Sequence, residues 1–89
     1  MSMREGDLRV WWIPQVPMTR FFVPVESIEQ AKLIYNTLAR YDAFQFEHNV
    51  KPDYCNLGGL EVVEDGEWLE WSDEETGDTL SDIIRAERR

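Results

Sequence analysis

His48 is the one histidine of the chain and Cys55 its one cysteine, seven residues further on. A thiol nucleophile needs a base to take its proton and a third group to orient that base. No wider Cys-His-Asn or Cys-His-Asp signature accompanies the pair, so His48 reads as a loop histidine and Cys55 as a semi-buried thiol. Asp73, Glu74, Glu75 and Asp78 crowd oxygen donors together. A calcium loop places ligands at alternate positions, then a glycine, then a glutamate. From Asp73 those positions read Asp73, Glu75 and Gly77, so the third ligand is missing and no metal site is expected. Gly58-Gly59 reads as turn chemistry or close backbone approach. No G-x-x-x-x-G-K-[ST], G-x-G-x-x-G or G-x-S-x-G motif occurs. Carboxylates are plentiful, but catalytic pairs need an apolar pocket that pushes their pKa values apart, and these are surface-like. The chain is read as a non-enzyme with no cofactor.

What remains is four tryptophans, Trp11, Trp12, Trp68 and Trp71, and an uneven charge map. The net charge is −9, and residues 61–82 hold ten acids and no base. Residues 1–60 hold seven acids and six bases, and residues 83–89 one acid and three arginines. Phosphate backbones and anionic membrane surfaces call for a basic face, so direct nucleic-acid and membrane binding are disfavoured. No run approaches the roughly 20 apolar residues of a membrane span. Met1 to Asp7 lacks the apolar stretch of a signal peptide. A chain of 89 residues without a possible disulfide reads as one soluble domain of a reducing cytosol.

The elements that position these groups follow from periodicity. Residues 1–7 read as a frayed terminus. Leu8–Ile13 and Phe21–Val25 are apolar, β-prone runs, joined across Pro14 and Pro17 into a hairpin over residues 8–25. Pro24 cannot donate a ladder hydrogen bond and suits an edge. Ser27 and Gln30 form an S-x-x-Q capping box. Ile28, Ala31, Leu33, Ile34, Tyr35 and Leu38 then recur at helical spacing, which predicts a helix over 28–41. Phe44 and Phe46 alternate with Gln45 and Glu47, which predicts a short extended segment in 41–50. Residues 51–59 read as a loop.

Asp65-Gly66 is a favoured type I′ turn pair and predicts a hairpin over 60–71. Its register sets Val63 against Trp68, Val62 against Leu69, Glu61 against Glu70 and Leu60 against Trp71. Leu60, Val62, Leu69 and Trp71 then form an apolar face that must pack on the helix. Glu61 and Glu70 oppose each other on the outer face, where like charges repel. Residues 72–78 read as an acidic, mobile loop, and residues 79–87 as a short helix capped by Thr79, with Asp82 in its first turn. The fold class is α+β: a small, mostly antiparallel sheet packed against one main helix, with a short C-terminal helix.

Adjacent strand residues point to opposite faces, so only one of Trp11 and Trp12 can enter a core covered on one side. The acidic outer face around Trp68 is the leading candidate site, with Glu61, Glu67, Trp68, Glu70, Asp73, Glu74 and Glu75 as protein-binding residues. The partner expected from charge is a host or phage protein with a basic surface, a nucleic-acid-binding protein being one candidate. An alternative is a small-molecule site, for example for a nucleotide signal, built from Trp11, Trp12, Lys51, Tyr54, Gly58 and Gly59. A structural or oligomeric interaction module is a third.

Several runs also carry a family resemblance. They are Val10 to Met18 (VWWIPQVPM), Phe22 to Val25 (FVPV), Tyr41 to Glu47, Lys51 to Tyr54 (KPDY), Gly58 to Leu60 and Gly66 to Asp78. Over about residues 9–78 the chain resembles small phage-encoded proteins, some of them labelled superinfection exclusion proteins. The resemblance implies a phage accessory protein that inhibits a host or competing-phage component from the host cytoplasm. It supplies no residue-level mechanism. Some exclusion proteins act at the membrane, but no membrane segment is evident in this sequence.

Overall fold

The computed structural model describes residues 3–14, 19–48 and 57–87. Its order is β1 (Leu8–Ile13), β2 (Phe21–Val25), α1 (Ile28–Glu47), β3 (Leu57–Glu64), β4 (Glu67–Glu70) and α2 (Leu80–Glu87). The strands make one sheet in the order β2-β1-β3-β4, and every neighbouring pair is antiparallel. With both helices this is an α+β fold. Pro24 lies on the edge strand β2.

Strand alternation sorts the sheet into two faces. Val10 and Trp12 of β1, Val25 of β2 and Leu60 of β3 point to one face and are buried. Ala31 from α1, and Leu80 and Ile84 from α2, close the core over them. Trp12 fastens three elements together. Its ring meets Tyr35 of α1 edge-on, with centroids 5.3 Å apart. Its indole N–H donates to the buried Asp42 carboxylate of α1 at 3.1 Å. Against β3 it lies on Gly58, where a Cβ would overlap its ring carbons Cε3 and Cζ3.

Helix α1 starts where the capping residues put it. Ser27 Oγ accepts from the Gln30 N–H at 3.0 Å, and the Gln30 side chain accepts from the Glu26 N–H. Removing that cap with Ser27→Ala is expected to cost about 1 kcal/mol, measurable as a shift in urea midpoint at constant slope. The helix runs to Glu47, so the extended segment expected over 41–50 is helical as far as it is described. Phe44 and Phe46 are both exposed, hence their alternation marks no strand face. The helical signal there is instead Ala31, Leu38, Ala39 and Asp42, which continues the inner stripe down to the Trp12 anchor. His48 ends the helix: its ring stacks on Phe44, and its Nδ1 lies 2.9 Å from the Phe44 carbonyl oxygen.

Two further expectations change, and the expected acidic loop gains detail. Residues 4–7 are not frayed: Val63 N–H donates to the Asp7 carbonyl and Gly6 N–H to the Val63 carbonyl, both at 2.9 Å, which prolongs the β1–β3 ladder. The expected loop 51–59 gives way to strand at Leu57, so Gly58 and Gly59 are strand residues with ordinary φ, chosen for close approach. Residues 73–78 form a closed turn, with Asp73 N–H bonded to the Asp78 carbonyl and Asp73 Oδ1 accepting from the N–H groups of Glu75 and Thr76. A Ser72–Thr79 bridge shuts its base. Beyond it, Thr79 and Asp82 cap α2 reciprocally. Eight residues make a marginal helix alone. Leu80 and Ile84 in the core, Ser81 bonded to Gly58 O, and a Lys32–Glu87 ion pair at 3.0 Å hold α2 in place. That bond to Glu87 keeps the Lys32 pKa above its ordinary value.

The candidate interaction surface

Both helices cover the same sheet face, α1 on β1 and its neighbours and α2 on β3. The opposite face carries Phe22 and Pro24 from β2, Arg9 and Trp11 from β1, Glu61 and Val63 from β3, and Trp68 and Glu70 from β4. No helix packs there among the described residues. Its aromatics are organised by two arginines. The Arg9 guanidinium sits between two rings, 3.7 Å from the Phe22 centroid and 4.0 Å from that of Trp68. Arg20 lies 4.4 Å over Trp11. Cations on aromatic faces are attracted by the ring quadrupole, by about 0.5–2 kcal/mol according to burial.

The Asp65-Gly66 turn has φ of 52° and 78°, as a type I′ hairpin requires, and it sets Glu61 against Glu70 in the expected register. The repulsion expected of that pair is relieved from the other side. Arg9 is the β1 partner of Glu61, and its Nε donates to Glu61 Oε1 at 2.8 Å, while Arg20 lies 3.7 Å from Oε2. The Glu61 side chain is only 15% exposed. Glu61 therefore belongs to an Arg–Glu–aromatic cluster that builds the face. A hairpin considered by itself could not reveal this, because the neutralising residue comes from the third strand. Arg9, Arg20 and Phe22 were absent from the expected site. The signal was Arg9 itself, a charged residue at an outward position of a strand that proves central and must find a partner.

The other expected residues divide. Glu67, Glu70, Glu74 and Glu75 are exposed, Trp68 is half-buried, and Asp73 is half-buried and spends its carboxylate on the turn. Glu67, Trp68 and Glu70 share β4, and the turn with Glu74 and Glu75 follows it directly. Leu60 and Trp71 do face the core, but Leu69, on the same side, is 44% exposed because it lies at the sheet margin. Of the alternative ligand set, Lys51 and Tyr54 fall outside the described residues, as does Cys55. Trp11 and Trp12 point to opposite faces, and their rings fill the space over Gly59 and Gly58. A hollow of about 500 Å³ lies instead at the β2 end of the open face, bounded by Met3, Arg9, Phe22, Pro24, Val25 and Trp68. Among the described residues no group of three or more His, Cys, Asp or Glu side chains could hold a metal ion, and no helix is long and apolar enough to cross a membrane.

A small α+β protein with one helix-covered sheet face and one open aromatic face falls within a class defined by sequence. Residues 7–89 match the family model described as superinfection exclusion gene product 17, and the chain belongs to that family. It is 44% identical to the superinfection exclusion protein of Salmonella phage P22, over 75% of this chain and 78% of that one. This establishes a phage accessory protein of the superinfection exclusion family. No solved structure matches the chain.

Proposed function

We propose that the protein acts without catalysis, in the host cytoplasm, by binding and blocking a host or competing-phage protein with a basic surface. The contact residues are Trp68, Glu67 and Glu70 on β4, with Glu74 and Glu75 on the adjoining turn. Asp73 shapes that turn and Glu61 holds the platform beneath Trp68. One observation carries this reading. Glu70 stays exposed beside Trp68 on the open face, Glu67 is exposed on the other side of the same strand and Glu74 and Glu75 on the turn that follows it, whereas the half-buried Glu61 is paired with arginines. Uncompensated charge steers encounter with a basic partner, and an aromatic residue beside it gives the contact its hold.

The test is exclusion in cells. A Glu67→Lys/Glu70→Lys/Glu74→Lys variant leaves Arg9, Glu61 and the core intact, so its thermal midpoint should stay near that of the parent. Its plating block against a superinfecting phage should fall by about tenfold or more, since reversing charge at a steered interface costs association rate and affinity together. A folded variant that excludes as well as the parent would sink the reading.

The hollow beside Arg9 favours a second reading, a small-molecule site with aromatic walls. Calorimetric titration with nucleotides tests it, and absence of heat with every nucleotide tried counts against it.

A further inference from the structure

The sheet has two edges, and only one is closed by its sequence. On β2, Pro24 removes a donor. On β4 no proline intervenes. The Trp71 N–H donates to the Leu60 carbonyl at 2.9 Å, which makes Leu60–Trp71 a hydrogen-bonded pair. Antiparallel pairs alternate, so Val62–Leu69 and Glu64–Glu67 are hydrogen-bonded pairs and Glu61–Glu70 and Val63–Trp68 are not. Val63 agrees, because its N–H and carbonyl are taken by Asp7 and Gly6 on its other side. The N–H and C=O groups of Trp68 and Glu70 therefore point away from β3, to the open edge. Among the described residues nothing bonds to them.

We propose that this edge accepts a β-strand from the partner, an extended segment with basic residues alternating with apolar ones. The inference rests on the reading that the acidic β4 side is the binding surface, and it specifies how the partner is held. Three features select the occupant. Four outward backbone groups match the ladder of one added strand, the mode in which main-chain bonds give affinity and alternate side chains give specificity. On the outer face, a basic side chain of that strand would lie beside Glu70 and Trp68. On the helix side, an apolar side chain would cover Leu69, which is 44% exposed there for want of a neighbouring strand. A second copy of this chain is the wrong occupant. Pairing β4 with its own copy through these groups sets Trp68 against Glu70 and leaves the two Glu70 carboxylates as diagonal neighbours on one face, between chains of net charge −9 each, and like charges across strands repel. Pairing β4 with β2 of a copy meets Pro24.

The probe is the capped peptide Lys-Val-Lys-Val-Lys-Val-Lys, titrated at low salt by calorimetry, with backbone amide shifts followed by NMR. In antiparallel addition the residues opposite Trp68 and Glu70 are the basic ones and supply the N–H groups. A peptide methylated on its lysine backbone nitrogens keeps every charge and loses those bonds. It should bind at least about tenfold more weakly, the equivalent of about 1.4 kcal/mol. Glu70→Pro should bind the parent peptide about tenfold more weakly than Glu70→Ala, since the two variants carry equal charge and differ in the outward N–H. The Trp68 and Glu70 amides should be the most shifted.

Equal binding of the two peptides, or of the two variants, overturns strand addition. If binding then still falls on Glu67→Lys/Glu70→Lys, the acidic surface stands without its edge. If neither peptide binds, strand addition is also overturned and the edge acids serve only to keep the strand from aggregating. A plating block that survives charge reversal would be the separate failure of the acidic-surface reading.

Discussion

Gly58→Ala is expected to destabilise the protein by about 3 kcal/mol or more, toward the upper end of what overpacked cores cost. The added methyl would overlap two carbons of the Trp12 ring and press on Tyr35 Cε2 at 3.1 Å. Neither neighbour can step aside. Trp12 is 2% exposed and tied through its indole N–H to Asp42, and Tyr35 is set edge-on against it. Moving the ring would break its bond to a buried carboxylate, and moving β3 would break the Ser81 bond to the Gly58 carbonyl. Urea unfolding followed by circular dichroism measures the loss. Trp12→Leu added to Gly58→Ala should cost less than the sum of the two single changes, because the smaller side chain relieves the overlap. Additive costs, or a Gly58→Ala variant within 1 kcal/mol of the parent, would show that the glycine is not what lets the indole in.

Arg9→Ala should be the second large effect, about 3 kcal/mol. It removes the hydrogen-bonded partner of Glu61, a carboxylate with 15% of its side chain exposed. It also takes out the cation between Phe22 and Trp68. Stranding one partner of a fully buried pair costs about 3–5 kcal/mol, and the partial exposure here places the charge contribution below that range. Two cation–π contacts of about 0.5–1 kcal/mol each make up the remainder. The diagnostic is the double variant. Glu61→Gln alone should be mildly destabilising, but in the Arg9→Ala background it should restore part of the loss, since it discharges a carboxylate left with the longer Arg20 contact at 3.7 Å. If Glu61→Gln makes Arg9→Ala worse by its full single cost, the two residues are not coupled and the open face is not built on their bond.

Much of the fold is written in local patterns. The type I′ turn at Asp65-Gly66, the edge proline at 24 and the caps of both helices each depend on residues within four positions of one another, and each appears where its pattern puts it. The misread parts depend on distant partners. Helix α1 passes Tyr41 because Asp42 reaches a tryptophan thirty residues earlier in the chain. Residues 4–7 are ordered by Val63, and Gly58-Gly59 are strand glycines because two indoles lie on them. The candidate site was legible to the same degree. The hairpin register brought Glu61, Trp68 and Glu70 together correctly, and the arginines that turn Glu61 from a repelling charge into a bonded one came from β1 and the residue preceding β2.

The unequal edges of the sheet also bear on stoichiometry. Pro24 ends growth on one side, and four consecutive residues, Glu-Trp-Leu-Glu, leave a short opening on the other. A strand joined there would bring the sheet to five, and its own outer edge would belong to the partner. Complexes formed in this way would hold one partner strand per molecule, with no second edge of this sheet left to pair. If the protein acts through that edge, it would work as a titrant, with an effect in the cell that scales with copy number relative to its target.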